Sequence, residues 1–139
     1  MPQSLSNVYL HVIFSTKQRL ALIPKSIRAD LYSYISGICQ NQGCPAQRVG
    51  GTEDHIHIAC SLSRTLAISK LIEEIKTGSS SFSWQSGYGV FSVGEADLPR
   101  VVDYIDNQEE HHRRKTFQDE LREILSENKI AYDERWLWD

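Results

Sequence analysis

Two hydrophobic spacings alternate along the chain. From Asn7 to Thr16 (NVYLHVIFST), Leu10, Val12 and Phe14 fall on one side and Tyr9, His11 and Ile13 on the other. That period of two, in a β-branched and aromatic run, predicts a strand. The spacing then changes. Ile27, Leu31, Tyr34, Ile35 and Ile38 recur three and four residues apart, with Pro24 near the start and Asn41, Gln42 and Gly43 at the end. This is the stripe of an amphipathic helix with its start and stop signals. A second strand is predicted near Ala46–Val49, and Gly50-Gly51 reads as a turn.

The run TEDHIHIACSL (Thr52–Leu62) predicts a third strand. Ile56, Ile58, Cys60 and Leu62 face one way, and His55, His57, Ala59 and Ser61 the other. Leu66, Ile68, Leu71, Ile72 and Ile75 predict a second helix that ends at Gly78. A Ser- and Gly-rich loop leads to a fourth strand in YGVFSVG (Tyr88–Gly94). A third helix is predicted over Asp97–Lys115, with Pro99 in its first turn, and a fourth over Phe117–Glu127. The aromatic tail AYDERWLWD is expected to pack. The order β-α-β-β-α-β followed by helices predicts an α+β, ferredoxin-like (RRM-like) antiparallel sheet. Its crossover helices would cover one face, its first and third strands would lie at the centre, and its other face would stay free for a site.

With 139 residues, the chain suits one domain, 1–139. No apolar run approaches the roughly 20 residues needed to span a bilayer. No basic segment leads into an apolar one at the start, so a cytoplasmic location is expected. Three cysteines, Cys39, Cys44 and Cys60, argue against a disulfide framework. The net charge of −3 lowers the expectation of nucleic-acid binding, but local patches at Thr16–Arg19 and His111–Lys115 keep it open.

The alternation of His55 and His57 is the feature with chemical content. Two imidazoles on one strand face, about 7 Å apart at Cα, suit either packing or two ligands of one divalent ion. The predicted third helix bears on that choice. Tyr104 and Gln108 are four residues apart and His111 continues their ridge, so a phenol, an amide and an imidazole line one edge. A metal site with a tyrosine beside it suits attack on a phosphodiester. An amphipathic helix with a half-buried tyrosine is the plainer account of the same spacing.

DHIHIACSL resembles the histidine-hydrophobe-histidine (HUH) motif, and YIDNQEEHHRRKTFQDEL resembles the nucleophile helix of small single-tyrosine HUH transposases of insertion sequences and of the related REP-associated tyrosine transposases. The likeness extends over nearly the whole chain. It implies His55, His57 and Gln108 as metal ligands, Mg2+ or Mn2+ as the ion, and Tyr104 as the catalytic nucleophile. It also implies a homodimer that cleaves and rejoins single-stranded DNA at hairpin-bearing ends through a 5′-phosphotyrosine. Lys17, Arg19, Lys76, Arg113, Arg114 and Lys115 are DNA-contact candidates by charge and position. Three other readings compete: a non-catalytic single-strand-binding module, a domesticated transposase, and a hydrolase that uses water in place of Tyr104. RNA-recognition sheets stack bases on aromatics. Here Tyr9 is the only aromatic on that face of the first strand, and the third strand offers histidines instead.

Overall fold

The computed structural model describes residues 2–138. Four strands, β1 (Tyr9–Ser15), β2 (Ala46–Gly51), β3 (His55–Ser61) and β4 (Gly89–Val93), form one antiparallel sheet in the order β2-β3-β1-β4. The connecting helices are α1 (Lys25–Asn41) and α2 (Ile68–Gly78). The predicted ferredoxin-like order and central strand pair are therefore present.

Alternation in β1 and β3 gives the sheet two different faces. Leu10, Val12 and Phe14 of β1 and Ile56, Ile58 and Cys60 of β3 pack with Leu31, Ile35 and Cys39 of α1 and Leu71, Ile72 and Ile75 of α2. Burial of this apolar set is the main stabilising contribution. All three cysteines are free and buried.

The opposite face is not open, as the sequence had suggested. It is covered by α3 (Leu98–Asp106), α4 (Gln108–His111) and α5 (Phe117–Glu127). Ile13 and Phe91 on that face pack with Phe117, Leu121 and Leu125 of α5. The physical reason is the stripe on α5, whose residues at i, i+4 and i+8 need an apolar surface to cover. Part of the tail, α6 (Glu134–Leu137), adds Leu137 and the adjacent Trp138 to this second core, while Trp136 stays exposed.

Two further differences position the site. The expected single helix over Asp97–Lys115 is divided at Asn107, which has φ −101° and ψ 19°, and helical structure ends at His111. Asn107 caps α3 through a side-chain bond to the Asp103 carbonyl (2.8 Å), a local alternative to helix continuation. Gly50 and Gly51 form no turn; they belong to β2, opposite His57 and Ile56. A Cβ at Gly50 would stand 2.7 Å from Ile105 Cγ2 and 3.0 Å from the Ile105 carbonyl oxygen, so glycine there lets α3 lie against β2. No helix among the described residues is long and apolar enough to cross a membrane.

Candidate active site

The two central strands deliver three histidines to one face. His55 and His57 of β3 are fully buried and His11 of β1 nearly so. Each ring of the His55–His57 pair is held from behind. His55 Nδ1 lies 2.7 Å from Asp54 Oδ1 and 2.9 Å from Thr52 Oγ1. His57 Nδ1 lies 2.8 Å from His11 Nε2. The Nε2 atoms of both rings point towards the C-terminal helices, where Gln108 and Glu120 meet them. Gln108 Oε1 is 2.9 Å from His55 Nε2, and Glu120 Oε1 is 3.0 Å from His57 Nε2 and 3.8 Å from His55 Nε2.

Helix α5 carries Glu120 in because that residue stands on the same side as Phe117 and Leu121, three residues after one and next to the other. Thr116 caps the helix by accepting from the Asp119 amide (3.2 Å). Only 1% of Glu120 is exposed, a burial that an ionised carboxylate tolerates only with partners. Burial alone would raise its pKa. Hydrogen bonds from His112 and His57 outweigh that effect and hold it well below the usual carboxylate range. Its Oε2 also accepts from the Tyr104 hydroxyl and from Gln108 Nε2 at 3.2 Å. His112 Nε2 lies 3.2 Å and His111 Nε2 3.3 Å from the same oxygen.

Tyr104 on α3 faces this group from its own chain, its ring centroid 5.7 Å from that of His57 and 6.1 Å from that of His11. Its hydroxyl is 3.4 Å from His111 Nε2, so the Tyr104–Gln108–His111 ridge survives the break at Asn107. Burial and the neighbouring Glu120 carboxylate raise the phenol pKa well above its ordinary value. Burial likewise lowers His11 to about 3 and His57 to about 4, so both rings are neutral at physiological pH. Tyr104 and Glu120 border an open cleft of about 450 Å³, walled by Phe91, Arg100, Glu123 and Glu127 among others.

The donor set fits a divalent cation. His55 Nδ1 faces a carboxylate and must donate to it, which leaves the Nε2 of a neutral ring as a bare lone pair. That lone pair faces Gln108 Oε1 at 2.9 Å. The amide orientation is fixed by Gln108 Nε2, which donates to Glu120 Oε2 and, at 3.4 Å, to the Tyr104 carbonyl. Acceptors that converge with no proton between them require either a second proton on His55 or a cation. Ligand atoms of His55, His57 and Glu120 all lie within 4.8 Å of one another, close enough to share one ion. Two imidazole nitrogens with an amide and a carboxylate oxygen form a mixed set that can hold a divalent transition-metal or related ion.

The charged candidates disperse. Lys17 and Arg19 form a short 3-10 turn after β1, with the Arg19 guanidinium 5.3 Å from the centre of the Trp138 ring. Arg113 pairs with Glu110 at 3.0 Å, Lys115 contacts Glu123, and Arg114 is exposed. Lys76 lies on the α2 side of the sheet, over the Phe14 ring. Its ammonium donates to the carbonyls of Gln85 (2.8 Å) and Gly87 (2.9 Å), and burial lowers its pKa to about 8. The sequence reading missed Glu120 and Asp54 and left His11, His111 and His112 without a role. A signal for Glu120 was present: an acid set among Phe117, Leu121 and Leu125 on the apolar stripe.

Paired strand histidines facing a tyrosine helix on this fold are the arrangement that the sequence resemblance led us to expect of a DNA-processing enzyme. Residues 4–108 match the family described as IS200-like transposases, and the chain belongs to that family. It also resembles a crystal structure of a candidate transposase from Deinococcus radiodurans R1, with TM-score 0.62 and 18% identity, over 78% of this chain and 95% of that one. A second similar structure is a REP-associated tyrosine transposase bound to a REP hairpin, with TM-score 0.59 and 16% identity, over 81% of this chain and 74% of that one. No curated protein sequence matches the chain.

Proposed function

We propose that this transposase cleaves and rejoins single-stranded DNA by a metal-dependent exchange through Tyr104. The observation that carries the reading is that the Tyr104 hydroxyl meets, within one chain, the same buried cluster as His55, His57 and Gln108. His55, His57 and Gln108 would hold Mg2+ or Mn2+. The bound ion would draw charge from a non-bridging phosphate oxygen and orient the phosphorus for in-line attack. Asp54 accepts from His55 Nδ1–H and so directs that ring's Nε2 lone pair at the site, and once an ion replaced the proton on His57 Nε2, His11 Nε2 would accept from His57 Nδ1–H.

In the step itself the Tyr104 oxygen bonds to phosphorus and the bond from phosphorus to the 3′ oxygen breaks. The phenol gives up one proton and the departing 3′ oxygen gains one. The products are a 5′-phosphotyrosine and a free 3′-hydroxyl. Attack by another 3′-hydroxyl reverses the step and rejoins the strand, so no nucleotide cofactor is consumed. A hairpin-bearing substrate is part of the proposal, and the likeness to a protein solved on a REP hairpin supports it. Lys17, Arg19, Arg113, Arg114 and Lys115 are the proposed backbone contacts, while the Lys76 ammonium is engaged by the carbonyls of Gln85 and Gly87. A homodimer in the cytoplasm is part of the same reading and rests on the family resemblance.

The test is incubation of the protein with hairpin-bearing single-stranded DNA and Mn2+, followed by denaturing electrophoresis. A protein–DNA adduct that needs both the ion and Tyr104 is expected. Cleaved DNA with a free 5′-phosphate and no adduct would instead indicate attack by water.

A further inference from the structure

The two oxygens of Glu120 face different groups. Oε1 is directed at the histidine pair, 3.0 Å from His57 Nε2 and 3.8 Å from His55 Nε2. Oε2 accepts from the Tyr104 hydroxyl and from Gln108 Nε2. The residue lies on α5, beyond residue 108, where the family match ends. We propose that Glu120 is an anionic ligand of the ion held by His55 and His57, and that its second oxygen at the same time fixes the Tyr104 hydroxyl. Ion binding and nucleophile placement are thereby joined through one side chain. The assignment deepens the reading of Tyr104 as nucleophile and rests on it.

Three observations support it. Glu120 is 1% exposed, so α5 brings a carboxylate into the protein interior where an apolar residue would otherwise fill the stripe. Its Oε1 lies with the Nε2 atoms of both histidines inside a 4.8 Å sphere of mutual separation. Two neutral histidines and an amide would leave a divalent ion's charge uncompensated in that interior, whereas one carboxylate halves it. The Tyr104 hydroxyl gains a fixed acceptor by the same contact. Glu120 is thus a metal ligand and, for Tyr104, a positioning residue.

The experiment uses the full chain without DNA. Mn2+ is titrated by calorimetry into the wild type, Glu120→Gln, Tyr104→Phe and His57→Ala. Glu120→Gln is expected to weaken Mn2+ on the order of 10- to 100-fold, while Tyr104→Phe shifts affinity by less than about three-fold. NMR of ring-labelled tyrosine provides the second readout, with the Tyr104 resonance identified by its loss in Tyr104→Phe. Mg2+ should move that resonance in the wild type and leave it in place in Glu120→Gln. Should Glu120→Gln fail to fold, a wild-type crystal soaked in Mn2+ decides the matter through anomalous scattering. A peak bonded to Glu120 Oε1 upholds the assignment, and a peak held by His55, His57 and Gln108 alone overturns it. Unchanged Mn2+ affinity in a folded Glu120→Gln protein, with His57→Ala impaired, also overturns it and leaves the metal centre standing. Because no DNA is present, these results are independent of whether the strand-transfer assay succeeds.

Discussion

His11 and His57 stack across the two central strands, ring centroids 5.1 Å apart, with Nε2 of the first 2.8 Å from Nδ1 of the second. Burial keeps both neutral, so His11 can accept the proton that His57 must carry on Nδ1 when its Nε2 binds an ion. His11→Leu removes that acceptor without opening a large cavity. Mn2+ affinity is expected to fall about 10- to 100-fold, as it does when other metal-bound histidines lose their outer partner. Calorimetric titration checks this, with His11→Gln recovering part of the loss because its amide oxygen can accept. Equal affinities in His11→Leu and wild type would mean that His11 only fills space.

The position of Tyr104 near its own chain's histidines leads to a second expectation. With a ring separation of 5.7 Å from His57, Tyr104 is placed to serve the histidines of its own chain under the proposed mechanism. Tyr104→Phe and His57→Ala, each inactive alone, should stay inactive when mixed. Adduct formation on a denaturing gel is the readout. Recovery of the adduct in the mixture would show that the tyrosine serves a partner's site.

Much of this arrangement is legible in the sequence, and the reasons differ from residue to residue. His55 and His57 are visible because strand alternation fixes their common face before any tertiary contact is known. Tyr104 and Gln108 are visible because four-residue spacing keeps them on one ridge even across the break at Asn107. The break itself is not, since Asn107 is only mildly unfavourable in a helix and its bond to the Asp103 carbonyl depends on the local turn. The covering of the site face was also missed. The stripe Phe117, Leu121 and Leu125 announces an amphipathic helix but not the surface it will cover. Glu120 entered the site with that helix. Its chemistry depends on groups more than sixty residues away in sequence, such as His57. No local pattern encodes such a contact.

Stability of the metal-free protein should depend on pH in a defined window. His11 and His57 have pKa values lowered from 6.5 to about 3 and about 4, chiefly by burial. Below about pH 6.5 the unfolded chain takes up protons on these rings and the folded one does not. The unfolding free energy therefore rises with pH between about 4 and 6.5, by a few kcal/mol in all, and levels off above. His55, Tyr104, His112 and Glu120 face the same rings. The depressed Glu120 carboxyl adds to the loss of stability in the same direction at more acid pH. Urea unfolding from pH 4.5 to 8 measures this. Constant stability from pH 5 to 7 would mean that the rings carry protons in the folded protein.

The close approach of β2 and α3 offers a way to test Mn2+ binding and adduct formation separately. A Cβ at Gly50 would meet Ile105 Cγ2 at 2.7 Å and the Ile105 carbonyl oxygen at 3.0 Å. A side-chain methyl can rotate away, but the carbonyl moves only with the helix. Gly50→Ala therefore displaces α3 next to Tyr104, while His55, His57 and Asp54 stay on β3 and its preceding turn. A stability loss of about 1–3 kcal/mol is expected from the overpacking. Adduct formation should fall at least about ten-fold, because small displacements of a nucleophile are costly. Mn2+ affinity should fall much less, since the two imidazoles are undisturbed and only Gln108, beyond the bend at Asn107, can shift with α3. Parallel measurement of melting temperature, Mn2+ titration and adduct yield distinguishes the cases. A variant that melts earlier but forms adduct at the wild-type rate would show that contact with Gly50 does not set the position of Tyr104.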